Sequence, residues 1–197
     1  IRQIKPERIT EFIFEKEGKK SFLIAEFLSK GAIVFCDENY TIINASEFVD
    51  FSTRKIRPKV KYDHPKMQYN FFEITEENLF EIFKNTGKDS IVTSLAVDLG
   101  FGGIYSEEIC LLSKINKNKA PHELMDKEIN TISKSIKSIT NKKIEPAIYY
   151  SGNEAIDVAP FELEFYSALE KKKFKTFNEA LDYYFSKEMK LEKKPTK

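Results

Sequence analysis

The sequence predicts an α+β protein: an antiparallel β meander forming part of a sandwich or barrel, a helical helix-hairpin-helix domain, and a C-terminal β-hairpin with a helix. Three observations predict it. Residues 9–45 fall into short apolar runs between turn signals, residues 75–139 switch to helical spacing around one glycine-rich break, and the period returns to two after Ile144, ahead of a capped last helix.

Within the meander, Ile9 to Glu15 sets Phe12 and Phe14 on one face and Glu11, Ile13 and Glu15 on the other, as in a half-buried strand. Glu17-Gly18-Lys19-Lys20 turns the chain into a more uniformly apolar run, Ser21 to Leu28, which Ser29-Lys30-Gly31 breaks. Ala32 to Cys36 and Tyr40 to Ala45 are the third and fourth strands, with Asp37-Glu38-Asn39 between them. Thr53 to Lys66 then changes composition. It holds Arg54, Lys55, Arg57, Lys59, Lys61 and Lys66 against one acid, Asp63, with Pro58 and Pro65, and reads as an extended linker carrying the dense positive cluster.

Thr75-Glu76-Glu77 opens the first helix with a capping hydroxyl and acids at the positive end of the dipole. Asp89 is the expected cap of a second apolar run to Leu99, and helical spacing resumes from Ile104 to Ile115. Pro121 suits a first helical position, followed by one apolar stripe of Met125, Ile129, Ile132, Ile136 and Ile139. A hairpin is expected around Ser151-Gly152-Asn153. Thr176-Phe177-Asn178-Glu179 is a capping box, with Phe177, Ala180, Leu181, Tyr184 and Phe185 forming the apolar face of the final helix. The expected segments are 1–66, 67–143, 144–189 and a charged tail, 190–197; the start at Ile1, directly in strand-like sequence, suggests a piece of a longer protein.

Composition narrows the function classes. With 41% hydrophobic residues, 17 Phe and 9 Tyr in 197 residues, the chain can offset its ordering entropy and fold. Its 32 basic and 31 acidic residues leave a net charge of +1, so a polyanion site has to be a local patch. No apolar stretch is long enough to span a membrane. Cys36 and Cys110 lie far apart and the histidines are His64 and His122, so no tetrahedral zinc set, metal or cofactor is expected, and both thiols read as buried in a reducing cytoplasm. There is no G-x-S-x-G, P-loop or H-E-x-x-H, so the protein is not expected to be an enzyme or to take a small-molecule substrate.

Three places remain as candidate sites. In Leu99-Gly100-Phe101-Gly102-Gly103, the glycines Gly100, Gly102 and Gly103 let the backbone approach a phosphate, and the N–H groups of the next helix can donate to it. Alternatively, these glycines only end one helix and let the next pack closely; Asp98, Glu107 and Glu108 oppose an anion there. The cations Arg54, Lys55, Arg57, Lys59 and Lys61 can hold phosphates, or they line a solvated loop. Glu7-Arg8, at the start of the first strand, is the third candidate, with an ordinary exposed pair as its alternative.

Four stretches resemble the NFACT family of ribosome quality control factors, also described as fibronectin-binding protein A-like. Gln3 to Asp37 resembles the second half of the family's N-terminal domain, in which an Asp-Arg pair leads to L-I-x-E-L-x-x-K-G-N-I-x-L-x-D; here that segment runs from Leu23 to Asp37, with Ala32 where the family has Asn. Arg57-Pro58 and Tyr62 to Pro65 are similar to its I-R-P-G-x-x-Y-x-x-P passage, Leu95 to Ile109 to its helix-hairpin-helix element, and Thr176 to Phe185 to S-F-N-E-A-L-D-x-Y-F. The resemblance covers nearly the whole chain. It implies a cytoplasmic, RNA-binding protein whose partners are the obstructed large ribosomal subunit and charged tRNA, with alanyl-tRNA used for mRNA-independent tailing of stalled chains. It also implies tRNA contact through the Asp-Arg pair, whose matching positions are Glu7 and Arg8.

Gly100 to Ile109 also resembles the G-I-G-N-x-Y-x-x-E-I turn of formamidopyrimidine-type DNA glycosylases. Those enzymes need an N-terminal proline amine, whereas Pro6 is internal and its nitrogen is an amide, so kinship without the activity is expected. A protein-binding or adhesin-type module is the alternative from another class.

Overall fold

The computed structural model describes residues 1–4, 6–28, 31–50, 54–65 and 69–192, with side chains to residue 186. It divides into two compact units, Ile1–Asn70 and Phe71–Lys197.

The first unit is built on a five-stranded antiparallel sheet in sequential order: β1 (Arg2–Gln3), β2 (Ile9–Lys16), β3 (Lys19–Glu26), β4 (Ala32–Cys36) and β5 (Ile42–Ala45). The meander is as expected, with β1 added ahead of it. Glu17 (φ 53°) and Gly18 (φ 75°) supply the two positive φ values that join β2 and β3 by a two-residue turn matched to strand twist, closing the register at Lys16 and Lys19.

The facing of β2 reverses the sequence expectation. Ile9 and Glu11 lie in the core beside Phe22, Ile24, Val34, Cys36 and Ile42, whereas Phe12 is half-buried and Phe14 exposed. Glu11 tolerates the interior because Arg2 Nε (2.7 Å) and the Tyr40 hydroxyl (3.0 Å) both donate to it.

The stretch expected as an extended linker is instead a structural layer. Within its described part, β7 (Lys55–Ile56) pairs with β6 (Val49–Asp50), and the chain then returns along β5: Lys59 N–H donates to Ile42 O, Ile42 N–H to Val60 O, and Tyr62 N–H to Tyr40 O, each at 2.8 Å. Ile56 and Tyr62, 1% and 4% exposed, fill the core under the sheet. The density of cations hid these two anchors in the sequence. Thr53 and Lys66 lie outside the described residues.

The second unit begins with α1 (Glu76–Asn85), capped by Thr75 Oγ1, and α2 (Ile91–Val97). The cap of α2 is Ser90, not Asp89: its hydroxyl accepts from Thr93 N–H. A turn over residues 98–101 leads to α3 (Gly102–Ser113), which starts earlier than expected and ends at Lys114 in the left-handed region. Pro121 begins a 3-10 turn, Pro121–Glu123, and α4 (Asp126–Thr140) starts after it. Ile129, Ile132, Ile136 and Ile139 are buried on α4, while Met125 is its N-cap, 64% exposed and outside the stripe.

The expected hairpin is β8 (Ala147–Ser151) with β9 (Glu154–Ala159). A 3-10 turn, Glu164–Tyr166, leads to β10 (Glu170–Lys173), a strand the periodicity did not indicate; it pairs with β8 to give the order β10-β8-β9. In α5 (Phe177–Glu192), Ala180 is fully buried, Tyr184 donates to Ile156 O of β9, and Phe185 is exposed. Positions 190–192 of the expected tail are helical, and 193–197 lie outside the described residues.

Helices and hairpin share this unit through Glu108. Its carboxylate is fully buried and accepts from the N–H groups of Glu164 (3.0 Å) and Phe165 (2.8 Å), so a side chain of α3 caps the 3-10 turn after β9. Cys36 and Cys110 are free and buried, and burial pushes their thiols up to about 11 and about 12.

Candidate nucleic-acid interface

Glu7 and Arg8 sit where the chain enters β2. Glu7 N–H donates to Ile4 O, Gln3 Nε2 donates to Glu7 O, and Arg8 O accepts from Phe27 N–H, so the backbone of the pair is fixed on both sides. The Arg8 side chain is exposed, and among the described residues no acid pairs with it. Preorganised backbone with an unpaired guanidinium is the arrangement that suits phosphate recognition.

The five cations of the basic segment have different situations. Arg54 makes a buried bidentate pair with Glu26, and Tyr62 donates a third bond to the same carboxylate at 2.7 Å. Burial, then the bond to Glu26, pushes the Tyr62 phenol well above its ordinary value. Arg54 thus holds the layer under the sheet. Arg57 makes a bidentate pair with Asp50, both bonds 2.7 Å, but at the surface, and its hydrogen bond holds the Asp50 carboxyl below the usual range. Lys55, Lys59 and Lys61 are exposed and carry no ion pair among the described residues.

These groups do not form one continuous patch. Arg8 precedes Ile9, whose cross-strand partner is Glu26, and Arg54, bonded to Glu26, lies at this end of the sheet, while Lys55 follows it in the β6–β7 pair. Lys59 and Lys61 lie beside Ile42 and Thr41, in register with Cys36 and Phe22, four positions away along β3, or about 13 Å.

In the second unit, Gly100 (φ 73°) and Gly102 (φ 71°) adopt the left-handed conformation that the turn into α3 requires. Phe101, the N-cap, makes no side-chain capping bond, and a Cβ at Gly102 or Gly103 meets nothing within 4 Å. Backbone donors at this helix start are therefore open to approach. The nearby acids are occupied: Asp98 accepts from Thr86 Oγ1 (2.6 Å) and Ser94 Oγ (2.8 Å), Glu107 pairs with Lys117 (2.7 Å), and Glu108 caps the 3-10 turn.

His64 packs edge-on against Tyr40 and Tyr62, and burial lowers its pKa; its Nδ1 is buried and has no hydrogen-bond partner among the described residues. Among the described residues no cluster of three or more His, Cys, Asp or Glu side chains is placed to hold a metal, and no helix is long and apolar enough to cross a membrane.

Sequence reasoning missed the buried carboxylates Glu11, Glu26 and Glu108 and the lysines of β10. The signals were present: Glu11 shares parity with Ile9 and Ile13, Glu26 lies inside an apolar run, and Lys171-Lys172-Lys173-Phe174-Lys175 is a plain charge run.

The model of the NFACT N-terminal and middle domains matches residues 1–195. The chain belongs to this family. It is 35% identical over 197 residues to the archaeal Rqc2 homolog aRqcH of Methanocaldococcus jannaschii, an alignment covering 95% of this chain and 29% of that protein. The crystal structure of the fibrinogen binding protein from Staphylococcus aureus superposes with a TM-score of 0.70 at 17% identity, covering 93% of this chain and 68% of that one, which establishes a shared fold. A formamidopyrimidine-DNA glycosylase of Listeria innocua is 42% identical over 45 residues, 23% of this chain and 16% of that enzyme. The chain thus spans less than a third of its archaeal NFACT relative.

Proposed function

We propose that this NFACT portion binds RNA within a ribosome quality control factor, contacting tRNA and the RNA of obstructed large ribosomal subunits. The observation that carries the reading is Arg8: exposed, without an acid partner among the described residues, and at the position matching the Arg of the family's Asp-Arg pair. Lys55, Lys59, Lys61 and the open helix start at Gly102 add phosphate donors, with Arg57 available by exchange of Asp50. In this reading the protein is cytoplasmic and not itself an enzyme; it recruits charged tRNA, alanyl-tRNA above others, for tailing of stalled chains. The test is anisotropy binding to deacylated tRNA and to duplex DNA of similar length across a salt series. Preference for tRNA with a clear salt slope supports the reading. Absence of binding to both overturns it for this portion.

A protein-binding module is favoured by one observation. The outer face of the sheet carries Phe14, Ile33, Phe35 and Ile43, all exposed, where an antiparallel sheet facing water carries polar side chains. Binding to a protein partner that is insensitive to salt and to RNase would support that reading instead.

A further inference from the structure

The densest positive row in the second unit belongs to β10. This strand is an edge, paired with β8 on one side, and its residues, Glu170, Lys171, Lys172 and Lys173, are all exposed. One more bond follows the strand, Phe174 N–H to Pro146 O at 2.9 Å, and Lys175 comes next, exposed, in the bend ahead of α5. Lysine on an edge strand guards against strand addition. Here four of positions 171–175 are lysine, and Lys142 and Lys143 lie just ahead of β8.

The faces of the strand differ. Lys172 turns to the aromatic side, with Nζ 3.9 Å from the Tyr183 ring centroid and 5.2 Å from that of Phe174. Lys171 and Lys173 turn the other way, and both ammonium groups close on one carboxylate, Glu162, at 2.7 and 2.6 Å. One acid between two cations leaves a positive charge over. The two lysines are alternate strand residues, with Cα atoms about 6.7 Å apart, which is comparable to the step between successive phosphates of a single strand. The two lysines hold the Glu162 carboxyl down to about 2, so it remains an anion at neutral pH.

We propose that Lys171 and Lys173, with Lys175 just beyond the end of the strand, form a second contact for the phosphate backbone of single-stranded or looped RNA, with Glu162 as the resident counter-ion that the phosphates displace. The proposal rests on the RNA-binding reading above and adds a site in the other unit of the chain.

The test is anisotropy of the chain with a labelled short oligouridine from about 50 to about 200 mM salt. Replacing Lys171, Lys173 and Lys175 together by Gln, which removes the charge and keeps a polar side chain, is expected to reduce the magnitude of the log K against log salt slope by about 2, at about 0.7 for each phosphate no longer neutralised. Glu162→Gln, which frees two lysines, is expected to tighten binding, so the two variants move in opposite directions while far-UV circular dichroism stays that of the parent. If the parent binds and both variants match it, this site is overturned and the RNA-binding reading stands. If the parent binds no oligouridine at any salt and no tRNA, both fall. Binding of polyglutamate that the triple variant loses, with RNA binding unchanged, would make β10 an edge for acidic peptides and overturn the proposal.

Discussion

Arg54 closes on Glu26 with two hydrogen bonds of 2.6 Å, Nη1 to Oε1 and Nη2 to Oε2, where the side chains are 10% and 3% exposed. A charge so buried is tolerated because every oxygen is occupied, Tyr62 supplying the third bond. Removing one member leaves the other uncompensated. Arg54→Ala is therefore expected to cost about 3–5 kcal/mol in the unit that holds the sheet. Arg57→Ala, which breaks a pair of the same geometry at the surface, should cost about 0–1 kcal/mol. Urea unfolding followed by hydrogen exchange in β2 to β4 separates the two, and equal effects would contradict the structural role of Arg54.

This pair also shows why the site was only partly legible in the sequence. Alternation and turn residues were enough for the meander, the hairpin and the capped helices, because those signals are local. Whether a cation is free or paired depends on contacts between residues distant in sequence, and Glu26 and Arg54 are 28 positions apart. Pattern alone therefore makes Arg54 and Lys55 look alike, although one is buried and the other exposed. The inner placement of Glu11 was hidden likewise, since its partners come from Arg2 and Tyr40.

On the RNA-binding reading, Arg8→Ala should weaken tRNA binding without moving the unfolding midpoint, because the side chain has no acid partner to lose among the described residues. Changing Lys55, Lys59 and Lys61 to Gln should weaken binding to all sequences alike and flatten the salt slope by about 0.7–0.9 for each phosphate left without its cation. Anisotropy titrations at several salt concentrations check this, and an unchanged slope in both variants would remove these residues from the interface.

Burial lowers the pKa of His64, so the folded state disfavours its protonation relative to the unfolded chain. The sign follows from linkage: the unfolded chain takes up the proton first as pH falls, so stability is complete above the ordinary imidazole value and declines between that value and the lower folded one. His64→Phe keeps a ring against Tyr40 and Tyr62 and removes the titrating imidazole, whose buried Nδ1 has no partner among the described residues. Urea midpoints measured from neutral to mildly acidic pH should fall less steeply in this variant than in the parent, and parallel curves would contradict it.

Gly102 and Gly103 are adjacent, and alanine should act on them in opposite directions. Both have open space where a Cβ would go, so sterics from neighbours do not distinguish them. Backbone conformation does. Gly102 has φ 71°, where an L side chain is strained by roughly 1–2 kcal/mol, and it sits at the turn into α3. Gly103 has no positive φ and lies inside the helix, where alanine lowers the entropy of the unfolded chain and stabilises by about 0.5–1 kcal/mol. Thermal melts should therefore show Gly102→Ala below the parent and Gly103→Ala above it. The same pair tests the phosphate role of the turn: Gly103→Ala retains every backbone N–H, so a loss of tRNA affinity in a more stable protein would mean that RNA approaches the backbone closely at that position. Unchanged affinity would leave Gly102 and Gly103 as the parts of a helix start alone.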